Sequence, residues 1–141
     1  MKSSHLLLAL MLLSTVAAAP RTIKSVIRTS GGIRIVDNRG RRSPVIIVAN
    51  DSDLIGNNDA FCILRRGGEY QFFNPAGQRY LRLDTARLGK IFAVTGDTFS
   101  AGHDSIRTTY DSNCKVLSSR LIVLPDSADV YIDENQATNP E

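Results

Sequence analysis

The sequence predicts an all-β protein, either a sandwich or a small barrel, with one disulfide and with an N-terminal extension that could add strands. Short apolar or alternating runs, separated by turn residues, recur about every 8 to 12 residues. No stretch after the apolar N-terminal segment shows helical periodicity of useful length. The only two cysteines, Cys62 and Cys114, each lie in a short apolar run of strand character.

The first segment has the pattern of a secretory signal peptide. Lys2 precedes an apolar run from Leu6 to Leu13, and small residues follow at Val16 to Ala19. The run is shorter than the roughly 20 apolar residues that a membrane-spanning helix needs. We therefore expect residues 1–18 to be a cleaved signal peptide and the product to be secreted without a membrane anchor.

Secretion bears directly on the two cysteines. An oxidising route favours a disulfide between Cys62 and Cys114 over two free thiols. The bond would close a loop of about 52 residues, worth roughly 4 kcal/mol on the chain-entropy model. A metal site is the alternative, but His103, the only His beyond the signal, has no Cys or His at ligand spacing. The sequence thus predicts a structural disulfide, with no metal and no cofactor.

Charge and turn content divide the rest of the chain into three segments. Residues 19–59 form a basic extension and linker, with seven Arg and Lys residues and a single acid, Asp37, between Pro20 and Asn50. Residues 60–133 carry the regular β pattern and form the predicted sandwich domain. We expect residues 134–141 to form an acidic flexible tail.

The extension carries two candidate modification sites. Asn50-Asp51-Ser52 is the one N-glycosylation sequon, which makes Asn50 a possible glycan acceptor. Arg41-Arg42 is a dibasic pair flanked by turn residues, where a processing protease of the secretory route could cut. The alternating run Ile33–Ile35 and the continuous apolar run Val45–Val48 make strands plausible in the extension as well.

The sandwich domain is predicted to consist of short strands in close succession. Asn74-Pro75-Ala76-Gly77 suits a type I turn, Gly96-Asp97 suits another turn, and Thr85 to Lys90 has room for a single helical turn. The predicted strands are Phe61–Arg65, Glu69–Phe73, Gln78–Asp84, Lys90–Thr95, Ile106–Tyr110, Cys114–Leu117, Leu121–Leu124 and Val130–Ile132.

The sequence offers no specific catalytic motif. His103 lies in a glycine-containing loop, and no Gly-x-Ser-x-Gly motif accompanies it. The chain has neither a phosphate-binding glycine loop nor a calcium loop. A His beside an acid in a loop is usually a surface residue. We therefore predict a binding module and not an enzyme.

The positive charge of the basic extension would suit a nucleic acid or an anionic surface as a partner. Its basic residues are not interleaved with aromatic residues, as a stacking platform for single strands would require. A solvated segment or a removed pro-region is the alternative explanation. We predict a monomer without a nucleic-acid or membrane partner, which binds proteins through loops or an exposed edge strand.

Two short segments carry a resemblance to a known family. Phe61-Cys62 opens the first strand, alternating strands follow, and Asn113-Cys114-Lys115-Val116 precedes one closing strand. Over residues 60–133 this order resembles the MAX effectors, the Avr and ToxB-like secreted virulence proteins of ascomycete fungi. The resemblance implies a small, six-stranded antiparallel β-sandwich of two three-stranded sheets, with a disulfide from the first strand to the start of the fifth.

The same resemblance implies a function. The protein would be a non-enzymatic virulence effector that is delivered to a host plant, and in some cases into the host cell, where it binds a host protein. The partner would be a small heavy-metal-associated-type domain or an immune receptor. A secreted β-trefoil-like inhibitor or lectin is the main alternative, because Gly68–Leu81 resembles one trefoil hairpin. A small secreted hydrolase is the third.

Overall fold

The computed structural model describes residues 19–122. In these residues the chain is all-β, with eleven strands in three antiparallel sheets. The predicted signal peptide (1–18), the strand predicted at Val130–Ile132 and the acidic tail (134–141) lie outside the described residues. Between residues 19 and 122, no helix is long and apolar enough to cross a membrane.

Each sheet is built from strands that follow one another along the chain and pair in that order. The N-terminal sheet contains β1 (Ile23–Thr29), β2 (Gly32–Asp37) and β3 (Ile46–Ile47). The middle sheet contains β4 (Leu54–Asn57), β5 (Cys62–Arg66), β6 (Glu69–Phe73) and β7 (Arg79–Asp84). The C-terminal sheet contains β8 (Lys90–Thr95), β9 (Thr98–Gly102), β10 (Ile106–Tyr110) and β11 (Val116–Leu121). Two short helical turns, Asp51–Asp53 (3-10) and α1 (Thr85–Leu88), complete the elements.

The all-β prediction is confirmed, but the six-stranded sandwich is wrong. The described residues hold eleven strands, and four of them, β1 to β4, precede residue 60. The strands predicted at Glu69–Phe73, Lys90–Thr95 and Ile106–Tyr110 have the predicted bounds. The extension therefore adds strands, and β4 pairs directly with β5 across the boundary expected at residue 60.

The middle sheet is buried on both faces at β5. Side chains alternate across a strand, so Cys62 and Leu64 pack with the N-terminal sheet, while Phe61 and Ile63 pack towards the C-terminal sheet. This is why the run Phe61–Leu64 is apolar at every position and not at alternate ones.

Two apolar clusters result, one on each side of the middle sheet. On one side the buried members are Ile23, Ile33, Ile35, Ile46, Cys62, Leu64 and Phe73. On the other side they are Phe61, Ile63, Tyr70, Phe72, Leu88, Phe99 and Ala101. In the second cluster the Phe72 ring centroid lies 5.4 Å from that of Phe61 and 5.0 Å from that of Phe99, distances typical of stabilising aromatic pairs.

The predicted Cys62–Cys114 disulfide is not present. Both cysteines are free. Cys62 lies in the cluster shared with the N-terminal sheet, and Cys114 packs against the cluster on the opposite side. Because the middle sheet lies between the two clusters, the two sulfur atoms cannot meet without a rearrangement of β5.

Candidate binding surface

Within residues 19–122, the C-terminal sheet ends at β11, and the free edge of this strand is the candidate binding surface. β11 is an edge strand, and all six of its residues are exposed. Large apolar side chains are among them: Val116, Leu117 and Leu121 are 57, 54 and 67% exposed. A long, exposed edge strand presents unpaired backbone groups and is a ready template for pairing with another chain.

The register shows which backbone groups of β11 point outwards. The amide of Ile122 donates to the carbonyl of Ser105, 2.6 Å away, so these two residues form a hydrogen-bonded pair. The pair Arg107–Arg120 lies two positions further along the same ladder. Hydrogen-bonded and non-hydrogen-bonded pairs alternate in an antiparallel ladder. Arg120 is therefore bonded to β10, whereas the amide and carbonyl groups of Ser119 and Leu121 face the free edge.

The outer face of the same sheet carries a row of cations. Lys90 lies opposite Gly102, and Arg107 lies opposite Arg120. The pairing of Thr108 with Ala101 places Arg107 beside Gly102 in the same register. Lys90, Arg107 and Arg120, which we call the basic row, thus line up across the sheet. None of them forms a salt bridge among the described residues.

An aromatic ring organises one end of the basic row. A register shift between Ile91 and Ala93 leaves Phe92 in a bulge of β8, with 38% of its surface exposed. The guanidinium carbon of Arg107 lies 4.2 Å from the Phe92 ring centroid, and Lys90 Nζ lies 5.6 Å from it. Cation–π attraction of this kind holds a side chain in place.

The next row on the outer face is small and hydroxyl-bearing. Ser100 pairs with Ala93 on one side and with Thr109 on the other, and Thr109 pairs with Ser118. No acidic side chain occupies these two rows of the described sheet, so the basic row is not neutralised locally.

His103, the one imidazole considered for catalysis, lies on the surface. Its side chain is exposed, and its Nε2 lies 3.3 Å from the carbonyl oxygen of Arg87. Between residues 19 and 122, no group of three or more His, Cys, Asp or Glu side chains could hold a metal ion.

The candidate glycosylation residue, Asn50, is exposed. It precedes the 3-10 turn Asp51–Asp53, and its side chain makes no capping hydrogen bond there. Its amide nitrogen therefore remains accessible, and glycosylation at Asn50 stays a prediction.

The dibasic pair Arg41-Arg42 lies in a turn that is held by a buried acid. Asp37 is fully buried, and its carboxylate accepts bonds from the amides of Arg39 and Arg41 at 3.0 and 2.8 Å. The Nε atoms of Arg21 and Arg41 donate to it at 2.6 and 3.1 Å. Burial alone would raise the pKa of Asp37, but these four donors outweigh it and lower the pKa to about 2.

A shallow cleft of about 210 Å³ lies between β3 and β5. Apolar side chains of Ile47, Val48 and Leu64 line it together with the two arginines Arg65 and Arg66. The Arg66 guanidinium donates to the carbonyl of Ile47 across the cleft, so part of its polar lining is already satisfied within the chain.

The comparisons with known proteins are negative. No protein-family model, no curated protein and no solved structure matches the chain. The resemblance to the MAX effectors therefore stays a prediction, and the binding surface rests on the residues described above.

The sequence predicts binding through loops or an exposed edge strand, which stays a prediction, and it does not predict the basic row. Lys90, Arg107 and Arg120 lie on three different strands, and only the register brings them together. The available signal was the alternation of β10, in which Arg107 and Thr109 must face away from Ile106, Thr108 and Tyr110.

Proposed function

We propose that the chain is a secreted, non-enzymatic binding protein that takes up an extended segment of a partner protein along the free edge of β11. The observation that carries the proposal is the outward direction of the Ser119 and Leu121 backbone groups on a fully exposed strand. In strand addition, main-chain hydrogen bonds supply affinity and side-chain contacts supply specificity. Each new bond contributes about 1 kcal/mol net.

An apolar margin beside this edge supports the same mode of binding. Ile106 and Leu121 lie directly opposite each other and are 54 and 67% exposed. An added strand would place its own apolar side chain beside Leu121, and the contact would remove this side chain and that of Leu121 from water. Burial of apolar surface contributes roughly 25 cal/mol per Å².

The resemblance to the MAX effectors adds a biological setting to this proposal. The protein would be a virulence effector and its partner a host protein, either a small heavy-metal-associated-type domain or an immune receptor. The three-sheet architecture departs from the sandwich that the resemblance implies, so the edge strand, and not the family, is the stronger support.

The test is a proline at the free edge. Ser119→Pro removes an outward amide and leaves the bonds between β10 and β11 in place, which edge strands tolerate. Ser119→Ala is the matched control, because both variants lose the 2.9 Å contact between the Ser119 and Thr108 hydroxyls. Extended peptides are selected from a displayed library on the unmodified protein and then measured against both variants.

We expect the selected peptides to bind Ser119→Ala like the unmodified protein and to lose binding to Ser119→Pro, while both variants unfold at similar temperatures. Equal binding to both variants would overturn the proposal. Self-association through β11, detected by sedimentation and abolished by Ser119→Pro, would overturn it too, because a second copy would then be the occupant.

A further inference from the structure

We infer that the partner segment that binds along β11 is acidic, and that Arg120 of the basic row forms an ion pair with a carboxylate of that segment. The inference rests on the proposed function, because it names the chemistry of the partner that the edge receives. Arg120 lies on β11 itself, and its side chain stands on the outer face beside Arg107. It forms no salt bridge among the described residues.

The pairing pattern brings an incoming side chain close to Arg120. Since Arg120 is hydrogen-bonded to β10, its position on the free side of β11 belongs to a non-hydrogen-bonded pair in an antiparallel addition. Side chains lie closer in such pairs, with Cα atoms about 4.5 Å apart. A Glu or Asp opposite Arg120 would therefore stand on the outer face within reach of the guanidinium.

The electrostatics of the free protein also favour an acid at this place. Arg107 and Arg120 are directly opposed, and like charges in that arrangement destabilise a sheet. Arg107 cannot easily turn away, because its guanidinium is stacked on Phe92. Its Nε atom is buried without a hydrogen-bond partner among the described residues. A carboxylate beside Arg120 would offset the repulsion, and Lys90 extends the same positive potential across the sheet.

The outer face fits an acidic peptide better than a single-stranded nucleic acid. Stacking platforms for bases use successive aromatic rings. Within the described sheet, Phe92 is the one aromatic side chain that contacts the basic row, and Arg107 already covers its ring. The remaining positions are small or hydroxyl-bearing, namely Ala93, Ser100, Thr109 and Ser118.

The experiment compares three extended eight-residue peptides with the full chain by fluorescence anisotropy. Their apolar side chains alternate with Glu in the first, with Gln in the second and with Lys in the third. We expect the Glu peptide to bind about two- to fivefold more tightly than the Gln peptide, and the Lys peptide to bind most weakly. High salt should reduce the preference.

The variants are Arg120→Gln and Arg65→Gln, which change the net charge equally. Arg65 is exposed and lies on the middle sheet. The preference for Glu should disappear in Arg120→Gln and persist in Arg65→Gln. Ser119→Pro should abolish binding of all three peptides.

The possible outcomes separate the two proposals. If Glu and Gln peptides bind equally and Ser119→Pro abolishes both, the edge proposal stands and the acidic preference is overturned. If no peptide binds, both are overturned. If a single-stranded oligonucleotide displaces the Glu peptide and its binding depends on Arg120, the site serves nucleic acid and the acidic-segment inference is overturned.

Discussion

Cys62 and Cys114 lie on opposite sides of the middle sheet. Cys62 packs with Leu64 and Phe73 in the cluster shared with the N-terminal sheet, whereas Cys114 contacts the cluster that contains Phe99. The two cysteines therefore form no covalent cross-link. The stability of the fold rests on two apolar clusters, one on each side of the middle sheet.

This arrangement predicts two free thiols with very different reactivity. Burial raises the pKa of Cys62 to about 12, and its side chain is inaccessible. Burial and the nearby Asp111 carboxylate also raise the pKa of Cys114, but this residue is partly exposed. The thiolate is the reactive form of a cysteine. We therefore expect an alkylating reagent to label Cys114 slowly in the folded protein, and to label Cys62 only after unfolding. Peptide mass mapping without reduction measures the extent of labelling at each cysteine. A peptide pair linked through Cys62 and Cys114 would contradict the arrangement.

A second prediction concerns stability in acid. The pKa of Asp37 is lowered from 3.8 to about 2 in the folded protein. The folded state is therefore stabilised above a pH of about 4, and this contribution is lost as the pH falls towards about 2. We expect Asp37→Asn to be less stable than the unmodified protein at neutral pH, with the difference shrinking in acid. Urea unfolding at several pH values measures this, with the exposed Asp97→Asn as the control.

The same carboxylate should protect the dibasic pair from proteolysis. The amide of Arg41 donates to Asp37 Oδ1 at 2.8 Å, and the amide of Asp37 donates to the Arg41 carbonyl at 2.9 Å. Arg42 also forms a bridge with Val36. A protease must free this backbone before it can cut, so we expect slow cleavage after Arg42 and faster cleavage in Asp37→Asn. Rapid cleavage of the folded, unmodified protein would support processing at this site.

Local patterns predicted much of the fold, and long-range packing explains what was missed. The turn Asn74–Gly77 forms as expected, with the Gly77 amide donating to the Asn74 carbonyl at 2.9 Å. β9 was missed because Phe99 is its one large apolar residue and small residues fill the rest. No local pattern tells which face of β5 a cysteine occupies once both faces are buried.

For the candidate site, the sequence predicts a mode of binding but not the residues that form the surface. Binding through loops or an exposed edge strand was expected, but which strand lies at an edge depends on the sheet order, which places β11 at the margin of the described sheet. The basic row depends on cross-strand register, and it takes shape only when Lys90, Arg107 and Arg120 are aligned. The prediction of a disulfide was wrong because it was inferred from redox chemistry and from the family resemblance, and neither indicates which face of the middle sheet each cysteine occupies.

A fourth prediction compares two glycines with left-handed backbones. Gly77 has φ of +80° and Gly67 has φ of +57°, so alanine costs roughly 1–2 kcal/mol at either position. A Cβ at Gly77 would also lie 2.4 Å from Ser43 Cβ, whereas nothing lies within 4 Å at Gly67. We expect Gly77→Ala to lower the free energy of unfolding by clearly more than Gly67→Ala. Equal losses in urea unfolding would mean that the turn does not pack against Ser43.

The last prediction concerns the smallest folding unit. A chain that begins at residue 60 lacks β1 to β4 and leaves the Cys62, Leu64 and Phe73 face of the middle sheet uncovered. Each large apolar side chain returned to water costs about 1.5–3 kcal/mol, and typical domains have only about 5–15 kcal/mol in total. We expect this chain to aggregate or to lack a cooperative unfolding transition, whereas a chain that begins at residue 19 unfolds cooperatively. A cooperative transition in the shorter chain would show that the segment from residue 60 is a domain by itself, and that the N-terminal sheet only covers it.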